Sequence, residues 1–383
     1  MLGQKSPLLL FHMTKVYFPN LNGLRFIAAF LVIIHHVELL KGLFGINNNF
    51  NMPFFMKIGK MGVVLFFILS GYLITYLLLA ELNKTGKIAI KDFYLRRILR
   101  IWPVYFLVVI SSLFILPKFE FFDIPSWTST LSDDFYAKLI FSLLFLANIP
   151  LALFDPIPYG AQTWSVAIEE QFYLVWPLII KRTKGSLSGL IGVITVFLLV
   201  KFLLVIDNHF THFATQSFKA VWETFNLDCM AIGGVGAYYK FHKKIPAWFY
   251  NPVFQIFIII CTTFMLVKGI TFPYYLNYDV YGIFFLLIIM NLSEQSSIVN
   301  LENKLLNYLG QISYGIYMYH ILAITIAIKV AALLGDKNDL IIYGLTLTIT
   351  IAIAAFSFRF LETPFIKRKS RYTKIVSGES ARL

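Results

Sequence analysis

Charge is what this 383-residue sequence has least of: 14% of its residues are Asp, Glu, Lys or Arg, against about 25% in an ordinary soluble domain. With 58% hydrophobic and 17% aromatic residues, a water-soluble fold of this size is not expected. Cysteine is scarce as well. Cys229 and Cys261 both lie in apolar stretches, which leaves neither a disulfide framework nor a CxxC metal site and makes both packing residues. The sequence has no G-x-S-x-G elbow, HExxH pair, Walker loop or Rossmann glycine pattern. That argues against a serine-hydrolase fold, a zincin and a dedicated nucleotide fold. No polar linker, low-complexity tract or internal repeat divides the chain. A cleavable signal peptide is not evident either, because Lys5, His12 and Lys15 interrupt the start and the first long apolar run begins near Leu24; the first span is expected to be the targeting signal too.

What the sequence has instead is apolar blocks of span length, such as Tyr250 to Val267 and Leu340 to Phe358, and the bilayer is their natural solvent. The expected fold is therefore all-α, a polytopic integral membrane protein of about ten transmembrane helices. We place them near 22–40, 60–81, 98–117, 163–180, 187–206, 223–240, 250–268, 276–292, 309–333 and 340–360. Segment 138–153 is apolar but short, and it holds Asn148 and Pro150, so we read it as re-entrant or interfacial.

The formal net charge of +13 could point to an anionic partner, but basic residues also mark cytoplasmic loops. Lys84 to Arg100, Lys181 to Lys184, Lys240 to Lys244 and Lys367 to Lys374 supply four such clusters. All fall on one side in this layout, which makes both termini cytoplasmic. Glu120, Asp123, Asp133, Asp134, Asp207 and Asp336 fall in the opposite loops. Had 138–153 crossed, the later basic clusters would face out. One membrane domain over residues 1–374 and a short cytoplasmic tail, 375–383, follow; the tail is expected to be disordered.

Ionisable residues within spans cost about 2.5–3.5 kcal/mol each on insertion scales, so they are functional candidates. Arg25 and His36 in the first span are 11 residues apart, which at about 100° per residue returns to one helix face roughly 16 Å along. A snorkelling Arg25 and an interfacial His36 would explain the pair equally well, and His35, on another face, reads as structural. Arg96 and Arg100 are i,i+4 neighbours whose planar guanidinium groups suit phosphate, unless they are only topogenic charge. Pro103 just beyond suggests a break or kink. Glu169 and Glu170 head the fourth span and could orient a histidine that acts as a general base, although one of them could be a structural ion-pair partner. Ser70, Ser165, Asp228 and His320 are supporting candidates, weaker because small and amphipathic residues are normal between membrane helices. Gly233, Gly234 and Gly236 read as close-packing residues. No metal site is indicated.

Taken in order, Asn22-Gly23-Leu24-Arg25 through His36, Gly62 through Ser70-Gly71-Tyr72, Arg96-Arg97-Ile98-Leu99-Arg100-Ile101-Trp102-Pro103, Thr163-Trp164-Ser165 through Glu169-Glu170-Gln171, Ser313-Tyr314-Gly315-Ile316-Tyr317 with His320, and Glu362-Thr363-Pro364 resemble acyltransferase family 3 over nearly the whole chain. The resemblance implies a membrane-bound O-acyltransferase in the bacterial cytoplasmic (inner) membrane. It implies functional roles for Arg25 and His36, donor binding by Arg96 and Arg100, and assistance from Glu169 or Glu170. Two positions depart from the family's pattern: Val64 stands where an acid is frequent and Asn226 where an arginine precedes the sixth-span aspartate. The chain ends soon after the last span, so no fused esterase-like domain is expected.

The mechanism expected from these residues has acyl-CoA, with acetyl-CoA foremost, as donor substrate and no permanently bound cofactor. Its phosphates would lie on Arg25, Arg96 and Arg100, and His36 would deprotonate a hydroxyl of a surface carbohydrate or glycolipid acceptor while Glu169 or Glu170 fixed its tautomer. A covalent relay through His36 or Ser70 is a variant. The partners are then the donor, the acceptor and the lipid bilayer, with no nucleic acid. The rival readings are a polytopic transporter of an anionic substrate that uses the same buried charges and a scaffold without turnover.

Overall fold

The computed structural model describes residues 15–273, 275–335 and 338–377; Lys5, His12, Asp336 and the last tail residues, on which parts of the sequence reading rest, lie outside them. The described chain is helical apart from a two-residue parallel pairing of β1 (Lys15–Val16) with β2 (Val376–Ser377). Its helices are α1 (Leu21–Leu43), α2 (Pro53–Thr85), α3 (Ile90–Ile110), α4 (Phe135–Leu143), α5 (Asn148–Leu153), α6 (Thr163–Arg182), α7 (Leu187–Ile206), α8 (Gln216–Thr224), α9 (Leu227–Phe241), α10 (Pro252–Lys268), α11 (Asn277–Leu292), α12 (Lys304–Gln311), α13 (Ser313–Leu333), α14 (Asp339–Ser357) and α15 (Thr363–Lys369).

Six helical runs among the described residues are long and apolar enough to cross a bilayer: Leu21–Leu43, Pro53–Thr85, Ile90–Lys118, Leu187–Phe210, Ser313–Leu333 and Asp339–Lys369. α6 has 20 residues but a polar head, and α10 and α11 have 17 and 16. The expected span 223–240 is not continuous. α8 ends at Thr224 and α9 begins at Leu227, with Phe225 extended between them. Helix α3 runs through Pro103 without the expected break. Segment 138–153 divides into α4 and α5, of 9 and 6 residues, which at about 1.5 Å per residue are far short of a bilayer core of roughly 30 Å.

The centre of the bundle is α2, 33 residues long and so about 50 Å. Proline at the first turn starts it, and Gly86 in the left-handed region, at φ 68°, stops it. Its closest neighbour is α9. A Cβ on Gly71 would lie 1.8 Å from the Met230 carbonyl oxygen, and one on Gly233 would lie 2.2 Å from that of Ile68, so the backbones touch only because neither position has a side chain. α1 closes against the other side of α2, where a Cβ on Gly62 would meet the Ala28 oxygen at 2.7 Å.

α7 is the least enclosed of the six span-length runs, with 17% of its most apolar stretch buried, and one polar residue ties it in. Lys201 is buried, and its Nζ bonds Asp228 Oδ2 on α9 and, at 2.5 Å, Asp279 Oδ2 on α11. Removing the cation leaves two carboxylates facing each other in an apolar interior. Lys201→Met is therefore expected to destabilise the protein by about 3–5 kcal/mol, read as a lower thermal midpoint in detergent. Adding Asp228→Asn and Asp279→Asn should recover part of the loss. An unchanged midpoint in the single variant would show that the triad does not hold α7.

Candidate active site

A large cavity lies between α1, α2, α3, α6 and α13. Its empty volume is about 1350 Å³ including the part open to solvent. Tyr17, just before α1 and 38% exposed, marks its rim, and Val16, Phe18 and the buried Lys369 at the end of α15 also line it. The wall is apolar along α2, from Val63, Phe66 and Phe67 to Leu73, Ile74 and Leu77. Ser165 and Tyr317, both buried, form its deep end and bond each other through their hydroxyls at 2.6 Å. The lining carries four cationic side chains, Arg25, Arg97, Arg100 and Lys369, and a single carboxylate, Glu169.

Each of these has a local cause. Arg25 is one turn into α1, and the side chain enters the cavity rather than turning away to the surface. Arg97 and Arg100 are i,i+3 neighbours on α3 and share the face turned to the cavity. The Arg97 guanidinium lies 5.8 Å from the Phe93 ring centre and 5.5 Å from that of Tyr173, while its buried Nε–H has no hydrogen-bond partner. Arg100 lies with Nη2 3.4 Å from the Gln311 carbonyl and Nη1 3.8 Å from Glu362 Oε2. Arg96 points elsewhere. Its Nη2 bonds Glu81 at 3.3 Å and its Nη1 donates to the Tyr372 carbonyl at 2.6 Å, and it is absent from the large cavity's lining. It helps to lay the last residues along the rim, where Lys374 also approaches Asp92 at 3.8 Å.

Glu169 accepts hydrogen bonds from Ser70 Oγ at 3.2 Å and from the Tyr173 hydroxyl at 2.8 Å, and Tyr173 also reaches Ser70 Oγ at 3.2 Å. Arg25 and Arg97 lie within electrostatic reach of this carboxylate. Glu170 turns to the other side of α6 and accepts from Trp102 Nε1 at 3.1 Å. The structure gives neither glutamate a hydrogen bond to a histidine.

His36 lies beyond the deep end and is not part of the cavity lining. Its Nδ1 is 2.9 Å from the Val32 carbonyl one turn back and 3.2 Å from Nε2 of His320 on α13. His320 is fully buried, and its Nδ1 meets the Tyr317 carbonyl at 2.5 Å. Tyr317 thus touches both groups, with its hydroxyl at the cavity end and its backbone oxygen on the imidazole pair. His35 bonds the Phe55 carbonyl at 2.6 Å and packs on Gly59, a structural role.

The residues singled out in the sequence therefore sort into four places. Arg25, Arg100, Ser70, Ser165 and Glu169 line the cavity; His36 and His320 pair behind it; Glu170 and Arg96 point away from it; Asp228 belongs to the Lys201 triad. That triad also accounts for Asn226, since the positive partner of Asp228 comes from α7 instead of the residue before α9. Arg97 and Lys369 were missed. Three-residue and four-residue spacing are equally good for two arginines on a helix, and Phe93 one turn before Arg97 was the available sign of a stacked guanidinium.

Comparison with known proteins identifies the family. The family described as "Acyltransferase domain", acyltransferase family 3, matches residues 18–359. A protein of Staphylococcus aureus (strain COL) carrying the name "Putative O-acetyltransferase" is 27% identical, with 92% of this chain and 58% of that protein covered. The peptidoglycan O-acetyltransferase OatA of Listeria monocytogenes is also 27% identical, with 95% and 58% covered. The chain thus spans little more than half the length of these relatives. No solved structure matches it. The family match takes in α1 through α14, including α1, α2, α3, α6 and α13 around the cavity, and the chain belongs to acyltransferase family 3.

Proposed function

We propose that the chain is an O-acyltransferase of the bacterial cytoplasmic membrane that moves an acetyl group from acetyl-CoA to a hydroxyl of a cell-wall glycan. The observation that carries the reading is the cavity with four cationic side chains and one carboxylate, set against an apolar wall and ending one residue short of a histidine pair. Coenzyme A has that division of chemistry, with phosphates at one end and a long, weakly polar arm leading to the thioester. Phosphates would take Arg25, Arg97, Arg100 and Lys369, and the buried Nε–H of Arg97 that lacks a partner would gain one. The arm would run along Val63, Phe66 and Leu73 toward Ser165 and Tyr317.

The rim lies at the end of the bundle with the basic loops, which the charge rule makes cytoplasmic; ten crossings with both termini inside complete that topology. The acceptor then meets His36 from the outer side. Swinging the Tyr317 ring aside breaks its bonds to Ser165 Oγ and the Gln162 carbonyl and extends the cavity toward the histidine pair. His36 takes the hydroxyl proton, the oxygen attacks the thioester carbonyl, and the C–S bond breaks as the thiolate leaves and recovers the proton. The relatives' names, O-acetyltransferase and peptidoglycan O-acetyltransferase, support acetyl as the group and a cell-wall glycan as the acceptor.

Proteoliposomes given radiolabelled acetyl-CoA and peptidoglycan fragments test this. Label should appear on the glycan, and His36→Ala, with its thermal midpoint preserved, should slow transfer by about 10²- to 10⁴-fold. Uptake of intact donor with no transfer would establish transport instead. A second comparison concerns the arginines. Arg97→Ala is expected to raise the donor KM by about 10- to 100-fold, the equivalent of roughly 1.5–3 kcal/mol for charged hydrogen bonds. Arg96→Ala should leave the donor KM within about twofold and lower stability, because it uncovers Glu81 and frees the Tyr372 carbonyl. Equal effects on KM would mean that the cavity is not the donor site.

A further inference from the structure

The sequence suggests a glutamate as the group that orients His36, and the geometry does not supply one. Glu169 is occupied by Ser70 and Tyr173, and Glu170 by Trp102. Glu38, half a turn along α1, bonds Lys41 at 2.9 Å, the Asn49 amide and the Tyr343 hydroxyl. What His36 does meet are a backbone carbonyl and a second imidazole.

Those two contacts fix where the protons are. A carbonyl oxygen can only accept, so the His320 nitrogen 2.5 Å from the Tyr317 oxygen, Nδ1, carries a hydrogen. A neutral imidazole has one N–H, and His320 Nε2 is therefore a lone pair. It faces His36 Nδ1 at 3.2 Å. That nitrogen is also 2.9 Å from the Val32 oxygen, again only an acceptor, so His36 Nδ1 is the donor to both. The reverse arrangement would press a His36 lone pair against the Val32 carbonyl and would need both nitrogens of His320 protonated. The remaining nitrogen of His36, Nε2, is consequently unprotonated, the state in which it can accept a proton.

We propose that His320 is the positioning residue for His36: held by the Tyr317 carbonyl, it accepts the Nδ1 hydrogen and so leaves Nε2 of His36 as the base. The inference rests on the acyl-transfer reading for its catalytic meaning and on the geometry alone for the tautomer. When His36 is charged during turnover, its Nδ1–H bond to the His320 lone pair becomes charge-assisted and stronger, so the pair does for the imidazolium what a carboxylate does in a Ser-His-Asp triad. Because Tyr317 also ends the cavity, its backbone ties the orientation of the base to the segment that separates donor from acceptor.

The test has a spectroscopic arm and a kinetic one. In full-length protein in nanodiscs with 15N-labelled histidine, the His36 signals, assigned by their loss in His36→Ala, should show a protonated Nδ1 and an unprotonated, pyridine-type Nε2. His320→Leu should convert this to a mixture of tautomers and lower kcat for acetyl transfer by about 10²-fold or more, with the donor KM within twofold. His320→Gln, whose amide oxygen can accept from His36, should restore the single tautomer and recover at least tenfold of the lost kcat. Retention of the wild-type tautomer in His320→Leu would overturn the proposal, as would equal kcat in the leucine and glutamine variants. Where no variant and no wild-type preparation transfers acetyl, the function reading fails, and the tautomer measurement still decides the positioning claim separately.

Discussion

A charge in the interior of a bilayer has to be matched by something nearby, and this bundle is organised around the different ways it meets that demand. In the C-terminal part of α1, Glu38 and Lys41 neutralise each other, with Asp339 of α14 2.7 Å from the lysine. On the far side of α2, Lys201 is shared by two aspartates from two helices. Both groups are closed arrangements of protein charges, and both fasten helices together. Around the cavity the balance differs, because cationic side chains outnumber carboxylates on a surface with open space in front of it. That excess of cationic side chains facing open space sets the cavity apart from the two clusters that fasten helices.

The helices were largely legible in the sequence because hydropathy reports the solvent directly. Blocks such as Leu187–Ile206 and Asp339–Ser357 are apolar over most of their length and on every side, which suits a bilayer better than water. The division of α8 from α9 was not legible. Nothing in Trp222 to Leu227 forbids a helix, and the break lies where Asn148 from α5 bonds the Thr224 hydroxyl at 3.0 Å, a contact between segments 76 residues apart. Site residues divide along the same line. Arg25 and Glu169 stand out because a charge in a span is rare. Choosing Arg97 over Arg96 required knowing which face of α3 looks inward, and only tertiary packing sets that. Lys201 drew no attention because a lone lysine near a span end is usually snorkelling, and its two partners come from other helices. His320 was visible as a residue and not as the neighbour of His36, since 284 positions separate them.

Family membership and geometry contribute different things. The match over residues 18–359 says that the bundle is an acyltransferase-family bundle and says nothing about which side chains meet. The structure supplies that second part: a cavity that ends at a tyrosine, and a pair of imidazoles on the other side of that tyrosine's backbone. The same residue therefore ends the cavity with its hydroxyl and holds His320 with its backbone oxygen.

The contact between α2 and α9, in which Gly71 and Gly233 let two backbones meet with no side chain between them, has a mechanical meaning. Side-chain packing can yield by changing rotamers; backbone against carbonyl oxygen cannot. The wall of the cavity formed by α2, which includes Ser70, is thus braced from behind by a stiff strut. α13 meets the cavity from the opposite side through hydroxyls and an aromatic ring. Side chains can turn where backbones cannot, so the two sides of the cavity differ in stiffness, an anvil on the α2 side and a softer face on the α13 side.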